Sequence, residues 1–194
     1  ANALANIICG KVNPSGKLPF TFGHKLEDYP SHAEGMTFPN PDKVYYSEDI
    51  FVGYRGFEKR GIKPLFAFGH GLSYTEFEYS DIRLSKECIK GGEMLQASAT
   101  ITNRGKRAGK EVVQLYIADK ESSVARPAKE LKGFEKVALE PGESKVVTFD
   151  ITPEALSFYD DRGEGEWRTE SGEFEVLIGS ASDDIRLSKR FTLE

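Results

Sequence analysis

From Phe77 onward the chain is written in short runs of alternating apolar and polar residues, broken by turn residues every eight to twelve positions. Successive side chains of a strand point to opposite faces, so such a run buries one side and wets the other. A series of these runs with frequent turns specifies an antiparallel β-sandwich. The runs predict strands near 76–84, 94–103, 110–118, 130–138, 144–151, 173–180 and 185–193, seven in all, the immunoglobulin-like number. In the second, Leu95, Ala97, Ala99 and Ile101 share one face. In the fifth, Val147, Phe149 and Ile151 do, with Lys145, Thr148 and Asp150 toward water. Each buried Val, Leu, Ile or Phe contributes about 1.5–3 kcal/mol before entropy is counted, so roughly fifteen of them hold a domain of this size, and the sandwich is expected to fold alone. Turns at Asn103-Arg104-Gly105 and Pro141-Gly142 are expected to supply the positive-φ or fixed-φ positions that hairpin loops need. Between the fifth and sixth strands, TPEALSFYDDRGEGEWRTESG is a long excursion carrying Trp167, the only tryptophan.

The first 75 residues are written differently. In ANALANIICG, Ala1, Leu4, Ala5 and Ile8 recur at helical spacing and Gly10 follows as a stop, with neither a starting Met nor a cap. So short a helix is marginal in water unless its apolar stripe packs on something, and that something is expected upstream. KVNPSGKLPFTFG supplies a turn at Asn13-Pro14-Ser15-Gly16 and an apolar run, Leu18 to Phe22, whose Pro19 suits a sheet edge or a strand start. Residues 24–49 hold Pro30, Pro39 and Pro41 and no sustained period, which predicts a strap crossing the surface of a larger body.

Several function classes drop out. No apolar run approaches the roughly 18 residues of a membrane-spanning helix, so no membrane partner is expected. A net charge of -5, with 26 Lys and Arg scattered among 31 acids, offers a phosphate backbone nothing, so nucleic acid is not expected as a partner either. Cys9 and Cys88 lack metal-ligand spacing, and His24, His32 and His70 are dispersed, so neither a metal nor another cofactor is predicted. Gly69-His70-Gly71-Leu72-Ser73 has its serine at the end of the run and a strand after it, whereas a nucleophile elbow centres the serine and precedes a helix. The glycines instead predict a tight reversal beside Phe66 and Phe68, a hinge between two kinds of structure. Glycoside hydrolysis needs two carboxylates in unlike environments. Asp160, Asp161, Glu164 and Glu166, and likewise Glu48 and Asp49, read as solvated turns without the apolar setting that splits two pKa values. DDRGEGE also lacks calcium-loop spacing. Aromatics crowd into VYYSEDIFVGYRGF. Tyr46, Phe51, Tyr54 and Phe57, with Arg55 among them and Trp167 farther on, are the candidate residues for contact with a neighbouring domain or a sugar ring. Packing of the strap against the body it crosses is the plainer account of the same rings.

Four stretches, NPSGKLPFTF (13–22), YYSEDIFVGYRGF (45–57), PLFAFGHGLSYTEFEYS (64–80) and ESGEFEVLIGSASDDIRL (170–187), closely resemble the C-terminal region of family 3 glycoside hydrolases, the β-glucosidase and β-xylosidase group. The likeness runs from end to end and keeps the family order. It implies a barrel with the aspartate nucleophile and an α/β sandwich domain with the acid/base glutamate, both upstream, as would be any export signal. Residues 1–23 then correspond to the last helix and strand of the α/β domain, 24–75 to an interdomain strap and 76–194 to a fibronectin type III-like domain. No catalytic residue is carried over to this chain, which is expected to be inactive alone. Its implied partners are the upstream catalytic domains, and a β-linked oligosaccharide or glycoside only through them. The competing expectation is an independent carbohydrate- or protein-binding sandwich, resting on the aromatics at 45–57 and Trp167.

Overall fold

The computed structural model describes residues 2–32, 43 and 45–194. Its architecture is mainly β, with two sheets facing each other across one apolar core. The smaller sheet places β1 (Phe77–Leu84), β3 (Leu95–Asn103) and β6 (Ser144–Ile151) side by side. The larger runs in the order β2 (Cys88–Ile89), β10 (Asp184–Leu193), β9 (Gly172–Ala181), β4 (Gly109–Asp119) and β5 (Glu130–Leu139). Pairing is antiparallel except for β2, which joins β10 in parallel.

All seven expected strands form, but the two sheets hold eight, and an immunoglobulin-like count of seven needs correction. The addition, β2, is two residues long, too short for any alternation to show, yet it buries Ile89 in the core. Register follows the apolar pattern: Ala97 pairs with Phe149 and Ala99 with Val147, so core-facing residues lie opposite one another. The excursion after β6 is also structured. It holds a helical turn, α3 (Pro153–Leu156), and a separate hairpin of β7 (Phe158–Asp160) and β8 (Glu166–Arg168). Gly142 takes φ +78° as expected of its turn. Gly105 does not: its backbone is ordinary, and glycine is required there because a Cβ would collide with Thr75.

Strand β4 is buried on both faces. Val113, Leu115 and Ile117 point into the core, while Gln114, Tyr116 and Ala118 are covered from outside. Gly69 and Tyr54 of the N-terminal third lie over Gln114 and Tyr116. Helix α1 (Asn2–Ile8) ends at Gly10, whose φ of +69° is the left-handed stop. Leu18–Phe22 is not a full strand. It runs beside residues 65–70 through a Phe22–Phe66 bridge and reciprocal bonds of Leu18 with Gly69 and His70, Pro19 having no donor to extend the ladder. Two 3-10 turns, Leu26–Asp28 and Pro30–His32, and helix α2 (Tyr54–Lys59) follow. The expected strap over 33–42 and 44 lies outside the described residues.

Candidate functional site

The N-terminal third is fixed to the sandwich through a junction in which two asparagines take part. Asn103, at the end of β3, is fully buried and uses every hydrogen-bonding position of its amide. Its Nδ2 donates to the carbonyls of Arg107 (2.7 Å) and Leu139 (3.1 Å), and its Oδ1 accepts from the Thr75 hydroxyl (2.5 Å) and the Gly105 amide (3.0 Å). Asn13 bridges the other way. Its Nδ2 donates to Ala108 O (2.9 Å), while its Oδ1 accepts from Ser73 Oγ (3.1 Å) and the Tyr74 amide (2.8 Å). Arg107 reaches Gly10 O at 3.0 Å and the Tyr74 hydroxyl reaches Ile7 O at 2.8 Å. The expected hinge at Gly69-His70-Gly71 therefore lies in a bonded seam. Gly69 adopts φ +85°, and a Cβ there would meet the Gln114 amide.

The aromatic cluster supplies the second attachment. Tyr54, the first residue of α2, tilts against Phe68 (5.4 Å) and meets Tyr116 of β4 edge to face (5.9 Å, 84°), and its hydroxyl accepts from the Leu131 amide at 2.9 Å. Burial pushes the Tyr116 hydroxyl well above its ordinary pKa, so it remains the donor to Gln114 Oε1, while Gln114 Nε2 donates to Ser180 O at 2.9 Å. Phe57 is buried edge to face with Tyr29 at 5.7 Å. Phe51 is buried under the Lys59 ammonium, 3.3 Å from its ring centre. Ion pairs Glu58–Lys129 and Arg55–Glu130 (3.3 Å) fasten α2 to the start of β5.

The six candidate residues thus separate. Phe51, Tyr54 and Phe57 face inward as packing, whereas Tyr46 is 82% and Trp167 71% exposed. Arg55 and Trp167, 112 positions apart in sequence, line one cavity of about 590 Å³ together with Glu130, Tyr159 and Arg162. Sequence reasoning missed Tyr116 and Gln114, though the near-unbroken run from Val112 to Ala118 carries the signal of a strand covered on both faces.

The acids also need one correction. Asp161, Glu164 and Glu166 are exposed, Glu164 in the turn and Glu166 at the start of β8, but Asp160 is buried and accepts from Arg162 Nε (2.7 Å), Arg162 Nη2 (2.8 Å) and Arg168 Nη1 (2.8 Å). Arg162 first and Arg168 second hold its carboxyl far below the usual range. Glu130, Glu170, Glu175 and Asp184 are likewise held low, through Arg126, Ser123, Lys120 and Arg186 in turn, and Glu130 stays low despite a burial that opposes it. These are carboxylates fixed as hydrogen-bond acceptors. Among the described residues no group of three or more His, Cys, Asp and Glu is placed to hold a metal ion.

Comparison with known proteins covers both parts of the chain. Residues 1–74 match the glycosyl hydrolase family 3 C-terminal domain, and residues 111–182 match the fibronectin type III-like domain. Thermostable beta-glucosidase B of Acetivibrio thermocellus is 52% identical over 96% of this chain, which corresponds to 24% of that protein. The GH3 beta-glucosidase of Bifidobacterium adolescentis superposes with a TM-score of 0.91 at 38% identity, over 99% of this chain and 28% of that one. Beta-glucosidase 3B of Thermotoga neapolitana, solved with alpha-D-glucose, gives 0.88 at 42% identity, over 97% and 26%. The chain therefore spans about a quarter of the length of the relatives it matches. Its double match, near-complete coverage at these identities and shared fold place it in glycoside hydrolase family 3, where it corresponds to the family's C-terminal region.

Proposed function

We propose that this chain is the non-catalytic accessory portion of a retaining, exo-acting β-glycosidase of the β-glucosidase type, and that it braces catalytic domains encoded upstream. One observation carries the reading. Of the eighteen exposed large hydrophobic residues among those described, thirteen fall within the first 74 positions, including Leu4, Ile8, Phe20, Phe66 and Leu72. Exposed apolar side chains gathered in this third of the chain favour an interaction surface there, and each Å² of apolar surface buried on docking would contribute roughly 25 cal/mol. Residues 1–23 then complete the α/β domain, 24–75 act as the strap and 76–194 form the fibronectin-like sandwich, with β2, β7 and β8 added to a seven-stranded core. The depressed carboxylates favour the same reading, because a general acid needs a raised pKa.

The test mixes the chain with separately produced upstream domains from the same gene. A stoichiometric complex is expected on sizing, with a gain in hydrolysis of an aryl β-glucoside. Ile8→Glu combined with Phe66→Glu is expected to abolish both while leaving circular dichroism unchanged. Failure of the unsubstituted chain to associate, or release of nitrophenol by the pure chain that one of its own acids controls, would overturn the proposal.

A further inference from the structure

The cavity shared by Arg55 and Trp167, which meets the surface assigned to bracing only at Asp49, Ile50 and Arg55, is built from three parts of the fold. Asp49, Ile50 and Arg55 form one wall, the segment from Val124 to Lys132 a second, and the β7–β8 hairpin a third. Its volume of about 590 Å³ falls within the range of roughly 300–1,000 Å³ usual for small-molecule sites.

The hairpin is the unusual part. Two three-residue strands are not stable by themselves in water. Here Asp160 locks both arms through Arg162 and Arg168, and Gly165, at φ +78°, leaves space that a Cβ would take from the Tyr159 hydroxyl. What this clasp holds in place is a pair of aromatic rings facing water. Tyr159 is 55% exposed, and it meets Trp167 edge to face at 5.6 Å and 72°. Nothing in the core requires that arrangement.

The remaining lining decides the ligand class. It carries four acidic and four basic side chains, so it selects neither an anion nor a cation by net charge. Glu130 is held by Arg126 (2.5 Å) and Arg55 (3.3 Å), with the Lys132 ammonium 3.7 Å away. That fixes donors and acceptors at set positions beside the two rings. A neutral molecule with many hydroxyls around its edge and apolar C–H faces satisfies both features at once. Pyranoses with equatorial hydroxyls have that form, and β-linkage keeps successive rings in a flat ribbon.

We propose that this cavity is a binding site for a neutral β-linked oligosaccharide, one of whose rings lies on the face of Trp167 with Tyr159 bounding its edge, and whose hydroxyls bond Arg55, Lys132 and Asp161. Binding here does not require the bracing role, and bracing does not require it.

Trp167 is the only tryptophan, so its fluorescence reports on the site directly. Titration of the chain with cellotetraose is expected to change the emission saturably, with a dissociation constant at or below about 1 mM. By calorimetry, Tyr159→Ala is expected to weaken binding at least tenfold. Lys132→Ala, which lies outside the hairpin, is expected to weaken it severalfold with circular dichroism unchanged. The Ile8→Glu, Phe66→Glu variant should bind the sugar normally, which separates this outcome from that of the bracing test. No saturable change with cellotetraose, undiminished binding in both cavity variants, or an equal response to α-linked maltotetraose would each overturn the proposal.

Discussion

Replacing Asn103 by alanine should be among the most damaging polar substitutions in this chain, and the size of the loss follows from its four bonds. Two of them, to Thr75 Oγ1 and Leu139 O, are buried, and the other two, to Arg107 O and Gly105 N, are only partly so. Water can replace the amide at the partly buried pair. It cannot reach the buried pair without opening the junction, and each polar group left without a partner there costs about 1–3 kcal/mol. The expected loss is therefore about 2–6 kcal/mol, a large share of the roughly 5–15 kcal/mol that holds a typical domain together. Equilibrium unfolding in urea measures it directly. With a slope of about 2 kcal/mol/M, a loss of about 4 kcal/mol lowers the midpoint by about 2 M. Thr75→Val removes only one of the four bonds and should cost about 1 kcal/mol. Because the two residues share a bond, the double variant should fall short of the sum. A midpoint shift for Asn103→Ala below about 0.3 M, or strict additivity with Thr75→Val, would show that the junction does not rest on this amide.

Two other expectations follow from the same kind of reading. Gly56→Ala in α2 would ordinarily gain about 0.5–1 kcal/mol from reduced chain entropy, but its Cβ would collide with Phe51 O and the Pro30 ring, so a loss of about 1–3 kcal/mol is expected, and a raised melting temperature would refute the packing described for α2. The carboxyl of Asp160 is held below its unfolded value of about 3.9, so its clasp is fully formed above that pH and is lost as pH falls through the lower folded value. Trp167 emission should stay constant from neutral pH down to about pH 4 and change only in stronger acid, while Asp160→Asn should show the altered spectrum at neutral pH; a transition centred at or above about pH 5 in the unsubstituted chain would contradict the clasp.

The sandwich was legible because its strands carry period-two alternation over eight or more residues, as in Leu95–Asn103 and Ser144–Ile151. What escaped were features that local pattern does not encode. Cys88–Ile89 is too short to have a period, and its place is set by pairing with Thr192 and Leu193, a hundred residues later. Asp160 reads as one acid among several in a glycine-rich stretch. Only the fold back of β8 onto β7 brings Arg168 to it and makes it a buried anchor. Asn103 was recognised as a turn residue, but the use of its side chain depends on Thr75 and Leu139 arriving from different parts of the chain. The aromatic cluster was visible as a composition. Its division into inward Tyr54 and Phe57 and outward Tyr46 needed the position of α2 over β4.

The bonding of residues 64–75 to the sandwich bears on how the proposed docking face would work. The twelve residues from Pro64 to Thr75 belong to no helix or extended strand, turn at Phe68-Gly69, and carry Leu65, Phe66, Leu72 and Tyr74 outward. Free in solution, such a segment would lose about 1–2 kcal/mol per residue on being ordered, enough to cancel the gain from burying those side chains. In this fold the ordering has already taken place. Leu65 and Phe66 bond Phe22 on one side, Phe68 accepts from Ser182 on the other, and Asn13 and Asn103 hold its end at Ser73 and Thr75. The rings and methyl groups are thereby presented on a fixed frame, and more of the burial energy is left to association. It follows that Asn103→Ala, which touches none of the exposed apolar residues, should still weaken the complex with upstream domains, in a sizing or calorimetric assay run at a urea-free temperature where the variant remains folded. Undiminished affinity in that variant would mean that residues 64–75 are ordered by the partner and not by the sandwich.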